Sequence, residues 1–195
     1  PQSGEPRGVT VALARALAER LSVPLDLVAF ERAGEVAAAA VEDTWDVCFL
    51  AIDPKRAETI AFTPPYVLIE GCYLVRGNAP FAAVDDVDRD GVCVLAGRDS
   101  AYDLFLTRHL TRAGIQRETG QTALVEAFGR GEGDVLAGIR KTLEALAAAE
   151  PGLRLLPGRF MAIEQAMGVR AGRSAAARFL RAFVAERIAS GDVAA

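Results

Sequence analysis

Apolar residues recur along the chain in short blocks that switch between helical and strand periodicity. Leucine at every fourth position predicts a helix over Val9 to Leu21. Alternating apolar residues predict a strand over Pro24 to Phe30, and a second helix is expected over Ala33 to Val41. The unbroken apolar run from Val47 to Ile52 is typical of a buried parallel strand. The first third of the chain is therefore expected to alternate helix and strand.

The remainder of the chain continues this alternation. Strands are predicted at Cys72 to Val75, Gly91 to Leu95, Gly133 to Ala137, Leu153 to Leu156 and Phe160 to Val169. Helices are predicted at Ser100 to Ala113, Gln121 to Arg130, Ile139 to Glu150 and Ser174 to Ser190, the last with Ser174 as its N-cap. Strands that alternate with helices indicate an α/β fold.

Composition and charge narrow the classes of function. The chain has 195 residues and is 51% hydrophobic, so it can bury a core as one domain or as two compact lobes. Its net charge is -4 and it has no run of basic residues, which argues against a nucleic-acid partner. The longest apolar stretches are too short to cross a membrane.

Histidine and cysteine usage argues against metal sites and common catalytic groups. His109 is the single histidine, which excludes a histidine metal cluster and makes a Ser-His-Asp triad improbable. Cys48, Cys72 and Cys93 lie in apolar runs without CxxC spacing, as expected of small buried hydrophobic residues. We predict no metal, no cofactor and no catalytic residue.

The stretch from Trp45 to Tyr66 carries the most specific signal. Proline pushes the residue before it toward extended conformations, so the apolar strand must end at Asp53-Pro54. The end of such a strand lies at the edge where open α/β sheets bind ligands. Arg56 follows two residues after the proline. By itself, this pattern favours a solvated arginine after a turn.

The order of strand, turn, arginine and extended exit resembles the bacterial periplasmic solute-binding proteins that serve amino-acid uptake systems. Their pattern is roughly D-[apolar run]-x-[ST]-x-x-x-R-x-x-x-[VI]-x-F-[ST]-x-P-Y, and this chain reads WDVCFLAIDPKRAETIAFTPPY from Trp45. Helix and strand order fit this family from about Gly8 to Gly191. The resemblance implies an α/β, periplasmic-binding-protein-like (type II) fold of two lobes joined by a two-strand hinge. It also implies a strand before the first helix, and that first strand of lobe 1 is missing from the chain.

The resemblance also divides the chain. Lobe 1 is expected to comprise residues 1–67 and 165–195, and lobe 2 residues 70–160, with hinge crossings near 67–70 and 160–165. In such a hinge architecture, a ligand in the cleft stabilises the closed form by contacting both lobes.

The resemblance assigns ligand-binding positions on both lobes. Arg56 would bind the ligand's carboxylate, which a guanidinium can hold through two parallel hydrogen bonds. Ala51 and Phe49 stand where the family has small polar residues. On lobe 2, free main-chain amides at a strand-to-helix turn are expected to bind an anion, and this turn contains Gly97, Arg98, Asp99 and Ser100. Asp99 equally suits a helix cap or first-turn position.

One substitution bears on the ligand. Ile139 stands where the family's ammonium-binding aspartate is expected, and an ammonium group cannot be desolvated without a partner. We therefore expect a ligand other than an ordinary α-amino acid, unless Glu31 or Asp99 supplies the missing charge. Phe30 and Phe49 would line an apolar slot, or belong to the core.

Three functions remain open. The leading one is a periplasmic, monomeric binding protein that captures an anionic or zwitterionic solute and delivers it to a membrane ABC permease. A ligand-sensing domain of a receptor or regulator is the first alternative. The second is a periplasmic dehydratase resembling the cyclohexadienyl dehydratases, with Glu31 and Glu164 as candidate acids or bases. The chain begins with Pro1 rather than methionine, as expected after removal of a secretory signal.

Overall fold

The computed structural model describes residues 6–193. The helices are α1 (Val9–Leu21), α2 (Ala33–Ala38), α3 (Pro54–Ala57), α4 (Ala101–His109), α5 (Gln121–Gly129), α6 (Arg140–Ala149) and α7 (Ser174–Ala189), and short 3-10 turns cover Ala39–Val41 and Val84–Asp86. The strands are β1 (Cys48–Ala51), β2 (Ile60–Phe62), β3 (Val67–Arg76), β4 (Cys93–Gly97), β5 (Gly114–Glu118), β6 (Val135–Ile139), β7 (Leu153–Leu155) and β8 (Met161–Arg170).

These strands form one continuous sheet. Its main path is β1-β8-β3-β6-β4-β5, with β2 pairing β8 and β7 pairing β3. The two longest strands, β3 and β8, pair antiparallel and run through the middle of the molecule. On one side, β4 pairs in parallel with β5 and β6. On the other, β1 pairs antiparallel with β8, so the prediction of a parallel strand here was wrong in direction.

The buried side chains fall into two lobes on either side of this central pair. We use lobe 1 for α1–α3, β1, β2 and α7, and lobe 2 for β4–β7 and α4–α6. Lobe 2 buries both faces of its sheet, because Val94 and Val135 pack in one cluster while Leu95 and Leu136 pack in another. Lobe 1 has its own clusters, one beneath Phe183 and one around Trp45, Leu50 and Ile60. The two-lobed α/β fold is therefore present, and the exact lobe boundaries stay a prediction.

Most predicted helices and strands are present, with shifted ends. Helix α4 ends at His109 instead of Ala113, and Ser174 is the first helical residue of α7 rather than its cap, because Arg173 occupies the N-cap position. The sequence patterns missed the short elements α3, β2 and β5. These elements have three to five residues, which is too few for a periodic pattern.

The strand predicted at Pro24 to Phe30 was wrong. This segment forms no ladder, and Leu25, Leu27 and Val28 are 40%, 42% and 49% exposed. Alternating apolar residues favour a strand only when a neighbouring strand is available to pair with it. A cavity of about 680 Å³ separates the segment from α1 and β1. The missing first strand of lobe 1 stays a prediction, and residues 1–5 lie outside the described part of the chain.

The residues that the structure describes form neither a membrane-spanning helix nor a cluster of metal-binding side chains. Between residues 6 and 193, none of the helices combines the length and hydropathy that a membrane span requires. The same residues contain no group of three or more His, Cys, Asp or Glu side chains placed to hold a metal ion. Cys48 and Cys72 are buried as predicted, and burial raises the pKa of Cys48 to about 12. Cys93 is half-buried, and His109 is exposed.

Candidate functional site between the lobes

The turn after β1 places Arg56 inside the protein. Asp53 is extended, and one oxygen of its carboxylate accepts the Lys55 main-chain N–H at 2.9 Å, which caps the single turn of α3. Pro54 occupies the first helical position, where its lack of an N–H costs nothing. This turn carries Arg56 back under the end of β1, where only 3% of the residue is exposed. The solvated arginine that the local pattern favours is therefore excluded.

The Arg56 guanidinium binds two main-chain carbonyl groups. Its Nη1 donates to the Ala51 oxygen at 3.0 Å within lobe 1, and its Nη2 donates to the Asp99 oxygen at 2.9 Å on lobe 2. Burial lowers the pKa of Arg56, while the nearby charges of Asp53 and Asp99 oppose that shift. An arginine in this setting stays protonated. The boundary between the lobes thus contains a buried cation whose hydrogen-bond partners are both uncharged.

A second contact joins the lobes beside the first. Arg108 on α4 lies 2.8 Å from Asp53, with Nη2 facing Oδ2. The Asp53 side chain is 3% exposed and that of Arg108 is 39% exposed. Asp53 therefore caps α3 with one oxygen and binds lobe 2 with the other.

The main-chain amides expected to bind an anion on lobe 2 are not free. The N–H of Arg98 donates to the Glu118 carbonyl at 2.9 Å, and that of Asp99 donates to the Asp103 carboxylate at 2.9 Å. The Ser100 N–H donates to the Gly97 carbonyl at 3.2 Å. Asp99 has a left-handed backbone, with φ of 58°, and Ser100 is the N-cap of α4.

Asp103 supplies the negative charge at this turn. It is 3% exposed and lies 2.8 Å from Arg117 Nε, while its second oxygen accepts the Asp99 amide. The Ser100 hydroxyl in turn accepts the Asp103 N–H at 3.1 Å. Asp103 was not among the residues predicted for the site, although Ser100-x-x-Asp103 has the spacing typical of a helix N-terminus. An internal carboxylate therefore occupies the position predicted for a ligand.

The comparisons with known proteins agree with this architecture. Residues 1–195 match the model of the family described as bacterial extracellular solute-binding proteins, family 3. The chain belongs to this family. No curated protein was found to match the chain.

Solved structures share the fold of this solute-binding protein. A mutant of ArgBP from T. maritima has a TM-score of 0.80 and 22% identity, over 99% of this chain and 84% of that one. The GluR0 ligand-binding core in complex with L-glutamate has a TM-score of 0.80 and 20% identity, over 98% and 88%. AncCDT-1, an ancestral amino-acid-binding protein and precursor of cyclohexadienyl dehydratase, has a TM-score of 0.79 and 18% identity, over 99% and 84%. At these identities the similarity shows the fold alone.

The remaining predicted site residues of this solute-binding protein lie in three places: beside Arg56, around the lobe 1 cavity and on the surface. The structure brings Ala51 and Asp99 to Arg56 through their carbonyl groups. Phe30 and Phe49 instead line the 680 Å³ cavity of lobe 1, whose described lining does not include Arg56. Phe49 also packs edge-on against Tyr66, with ring centroids 6.2 Å apart. Arg98 and Glu31 are exposed.

Ile139 lies at the end of β6, where it pairs with Gly71 of the central strand β3. The charged groups beside it already have partners. Arg140 binds Glu70 and donates to the Gly158 carbonyl at 2.7 Å, and Arg159 lies 3.1 Å from the same Glu70 carboxylate. These arginines lower the pKa of Glu70, chiefly through the hydrogen bond from Arg140. Glu70 thus does not replace the aspartate expected at position 139, because its charge is matched by two cations.

Proposed function

We propose that this solute-binding protein captures a small carboxylate-bearing solute between its lobes, in the periplasm, and delivers it as a monomer to an ABC permease. The observation that carries the proposal is the buried guanidinium of Arg56 at the boundary between the lobes, 3% exposed and with uncharged partners. A carboxylate would give this cation the charged partner it lacks, through hydrogen bonds roughly twice as strong as neutral ones.

The ligand class follows from the groups near the cleft. Ile139 offers no charge to an ammonium group, and Glu70 is already paired. Asp99 and Glu31 are the exposed carboxylates available for this purpose among the predicted site residues. We therefore propose an organic acid without an α-ammonium group, or a zwitterion whose ammonium group binds Asp99 or Glu31.

The alternative functions differ in their support. A ligand-sensing domain needs the same cleft and the same Arg56, and the shared fold of the GluR0 ligand-binding core is consistent with it. A dehydratase needs a carboxyl group shielded from water to act as an acid or base near neutral pH. Glu31 and Glu164 are both exposed, so this alternative has no support from the site geometry.

Calorimetric titration with a panel of small acids tests the proposal, after the protein has been unfolded, dialysed and refolded to remove any co-purified solute. Arg56→Ala should weaken acid binding by about 3 to 5 kcal/mol, because a desolvated carboxylate would lose its cationic partner. Lys55→Ala is the matched control, since Lys55 is an exposed cation on the same turn. Unchanged affinity in Arg56→Ala would remove Arg56 from the binding site.

A further inference from the structure

The 680 Å³ cavity of lobe 1 continues the layer of the sheet beyond β1. Side chains of a strand point alternately to opposite faces, so Cys48 packs in the cluster around Trp45 while Phe49 packs against the cluster that contains Leu17 of α1. All four of these residues line the cavity. The cavity therefore lies between the same two apolar layers that enclose β1.

The edge of β1 that faces away from β8 carries main-chain groups without a strand partner. In the described part of the chain, β1 pairs with β8 alone. Met167 lies opposite Phe49, yet its N–H donates to the Thr63 hydroxyl at 3.2 Å and its C=O accepts the Thr63 N–H at 2.9 Å. Hydrogen-bonded and non-bonded pairs alternate along an antiparallel ladder, and Ile52 donates to Glu164. The N–H and C=O of Phe49 therefore point toward the cavity.

A second wall of the cavity has the same property. Residues 24–30 line this wall, and their main-chain groups form no hydrogen bond with any other described residue. The wall also carries the exposed apolar side chains of Leu25, Leu27 and Val28. Two walls of the cavity thus combine apolar side chains with unpaired main-chain groups.

These walls define the chemistry of an occupant. A compact apolar molecule would fill the volume, but it would leave the main-chain N–H and C=O groups buried without partners, which is costly. A β-strand has donors and acceptors along both edges, and a strand enclosed by two apolar layers carries apolar side chains on both faces. A peptide that adds to the edge of a sheet in this way is bound chiefly through its main chain.

We propose that lobe 1 accepts an apolar β-strand of about five to seven residues from a separate peptide, which pairs with β1 along one edge and with residues 24–30 along the other. The strand covers the exposed side chains of residues 24–30 and gives that segment the neighbour it needs to form a ladder. The described lining of the cavity does not include Arg56, so this site is separate from the boundary between the lobes. The proposal does not rest on the proposed function.

Hydrogen–deuterium exchange of the whole chain with a free peptide tests strand pairing directly. The probe is acetyl-Lys-Val-Ile-Val-Ile-Val-Lys-amide. The matched control is the same peptide methylated on alternate main-chain nitrogens, which keeps the apolar side chains but loses the donors along one edge. At about ten times its dissociation constant, the probe should slow exchange of the Phe49 amide and of amides within residues 25–30 about tenfold. The methylated peptide should give no such protection.

A variant that narrows the cavity gives a second measurement. Trp45 is the single tryptophan and lines the cavity, so its fluorescence reports occupancy. Val11→Phe enlarges a side chain of the α1 wall and should weaken binding of the probe about tenfold or more through overpacking. Ala12→Phe is the matched control, because Ala12 is exposed on the same helix and lies outside the described lining, and it should leave binding unchanged.

Circular dichroism establishes whether both variants fold, and if Val11→Phe does not, the two peptides still decide the matter on the wild type. Three results would overturn the proposal. Equal binding of the methylated peptide would mean that the cavity takes any apolar molecule. No binding of the probe would mean that the cavity accepts no strand. A dimer of the peptide-free protein in sedimentation velocity, lost in Val11→Phe but kept in Ala12→Phe, would assign the cavity to a second copy of the chain.

Discussion

Lobe 1 and lobe 2 bury their apolar residues to different extents. In lobe 2, Val94, Leu95 and Ala96 of β4 and the facing residues 135–137 of β6 are completely buried. In lobe 1, the segment before α2 leaves Leu25, Leu27 and Val28 between 40% and 49% exposed. Lobe 2 therefore has a filled core around β4, the strand that ends at the turn of residues 97–100. Lobe 1 presents the buried cation, but part of its apolar surface is uncovered.

Truncation of a core leucine should show the largest difference between the lobes. Leu136→Ala in lobe 2 should lower the free energy of unfolding by about 2 to 5 kcal/mol, because Leu136 is fully buried in one cluster with Leu95 and Leu143. Leu25→Ala in lobe 1 is the matched control, and it should change that free energy by less than about 0.5 kcal/mol. Urea denaturation followed by circular dichroism measures both. Equal losses would show that the segment around Leu25 is packed as tightly as the lobe 2 core.

A glycine at the junction of three strands tests how tightly lobe 1 is packed away from that segment. A Cβ on Gly168 would lie 2.5 Å from Ile60 Cγ2 and 3.1 Å from Cys48 Sγ. Gly168→Ala should therefore destabilise the protein by about 1 to 3 kcal/mol through overpacking.

The control for this substitution is Gly129→Ala at the end of α5, where a Cβ would meet nothing within 4 Å. The same urea denaturation applies to both variants. A neutral Gly168→Ala would indicate that β1, β2 and β8 separate easily, and that the whole of lobe 1 is loosely packed.

The smallest effect concerns acid stability in lobe 2. The Asp88 carboxylate accepts the main-chain N–H groups of Thr111, Arg112 and Ala113, and these hydrogen bonds hold its pKa well below the usual range. A lowered folded-state pKa means that this stabilisation is complete above the unfolded-state pKa of about 3.9. It is lost as the pH falls from there toward the folded value.

Asp88→Asn should remove this part of the pH dependence, so its melting temperature should fall less between pH 5 and pH 2.5 than that of the wild type. Asp90→Asn, at an exposed carboxylate two residues along the chain, should keep the wild-type profile. Identical profiles for all three proteins would mean that the Asp88 hydrogen bonds persist after protonation.

Local sequence patterns predicted much of the fold, whereas only the family resemblance singled out Arg56. Leucines at every fourth position predicted α1, and Asp53-Pro54 predicted the end of β1. Both signals depend only on residues close together in the chain, namely the hydrophobic periodicity and the geometry of proline. The alternating apolar residues of Pro24 to Phe30 wrongly predicted a strand, because no neighbouring strand pairs with this segment. Free main-chain N–H groups were also predicted at residues 98–100, but these groups donate hydrogen bonds to Asp103 and to two main-chain carbonyl groups.

The sequence by itself determined that an arginine follows a strand end in an α/β protein, since each step rests on neighbouring residues, and the division into two lobes came from the family resemblance. Only the tertiary structure decided that Arg56 binds the Asp99 carbonyl and that Asp53 binds Arg108. These partners lie on different lobes, and their contact depends on how β3 and β8 set the lobes against each other. Local preferences carry no information about that arrangement, because it arises from packing between segments far apart in the chain.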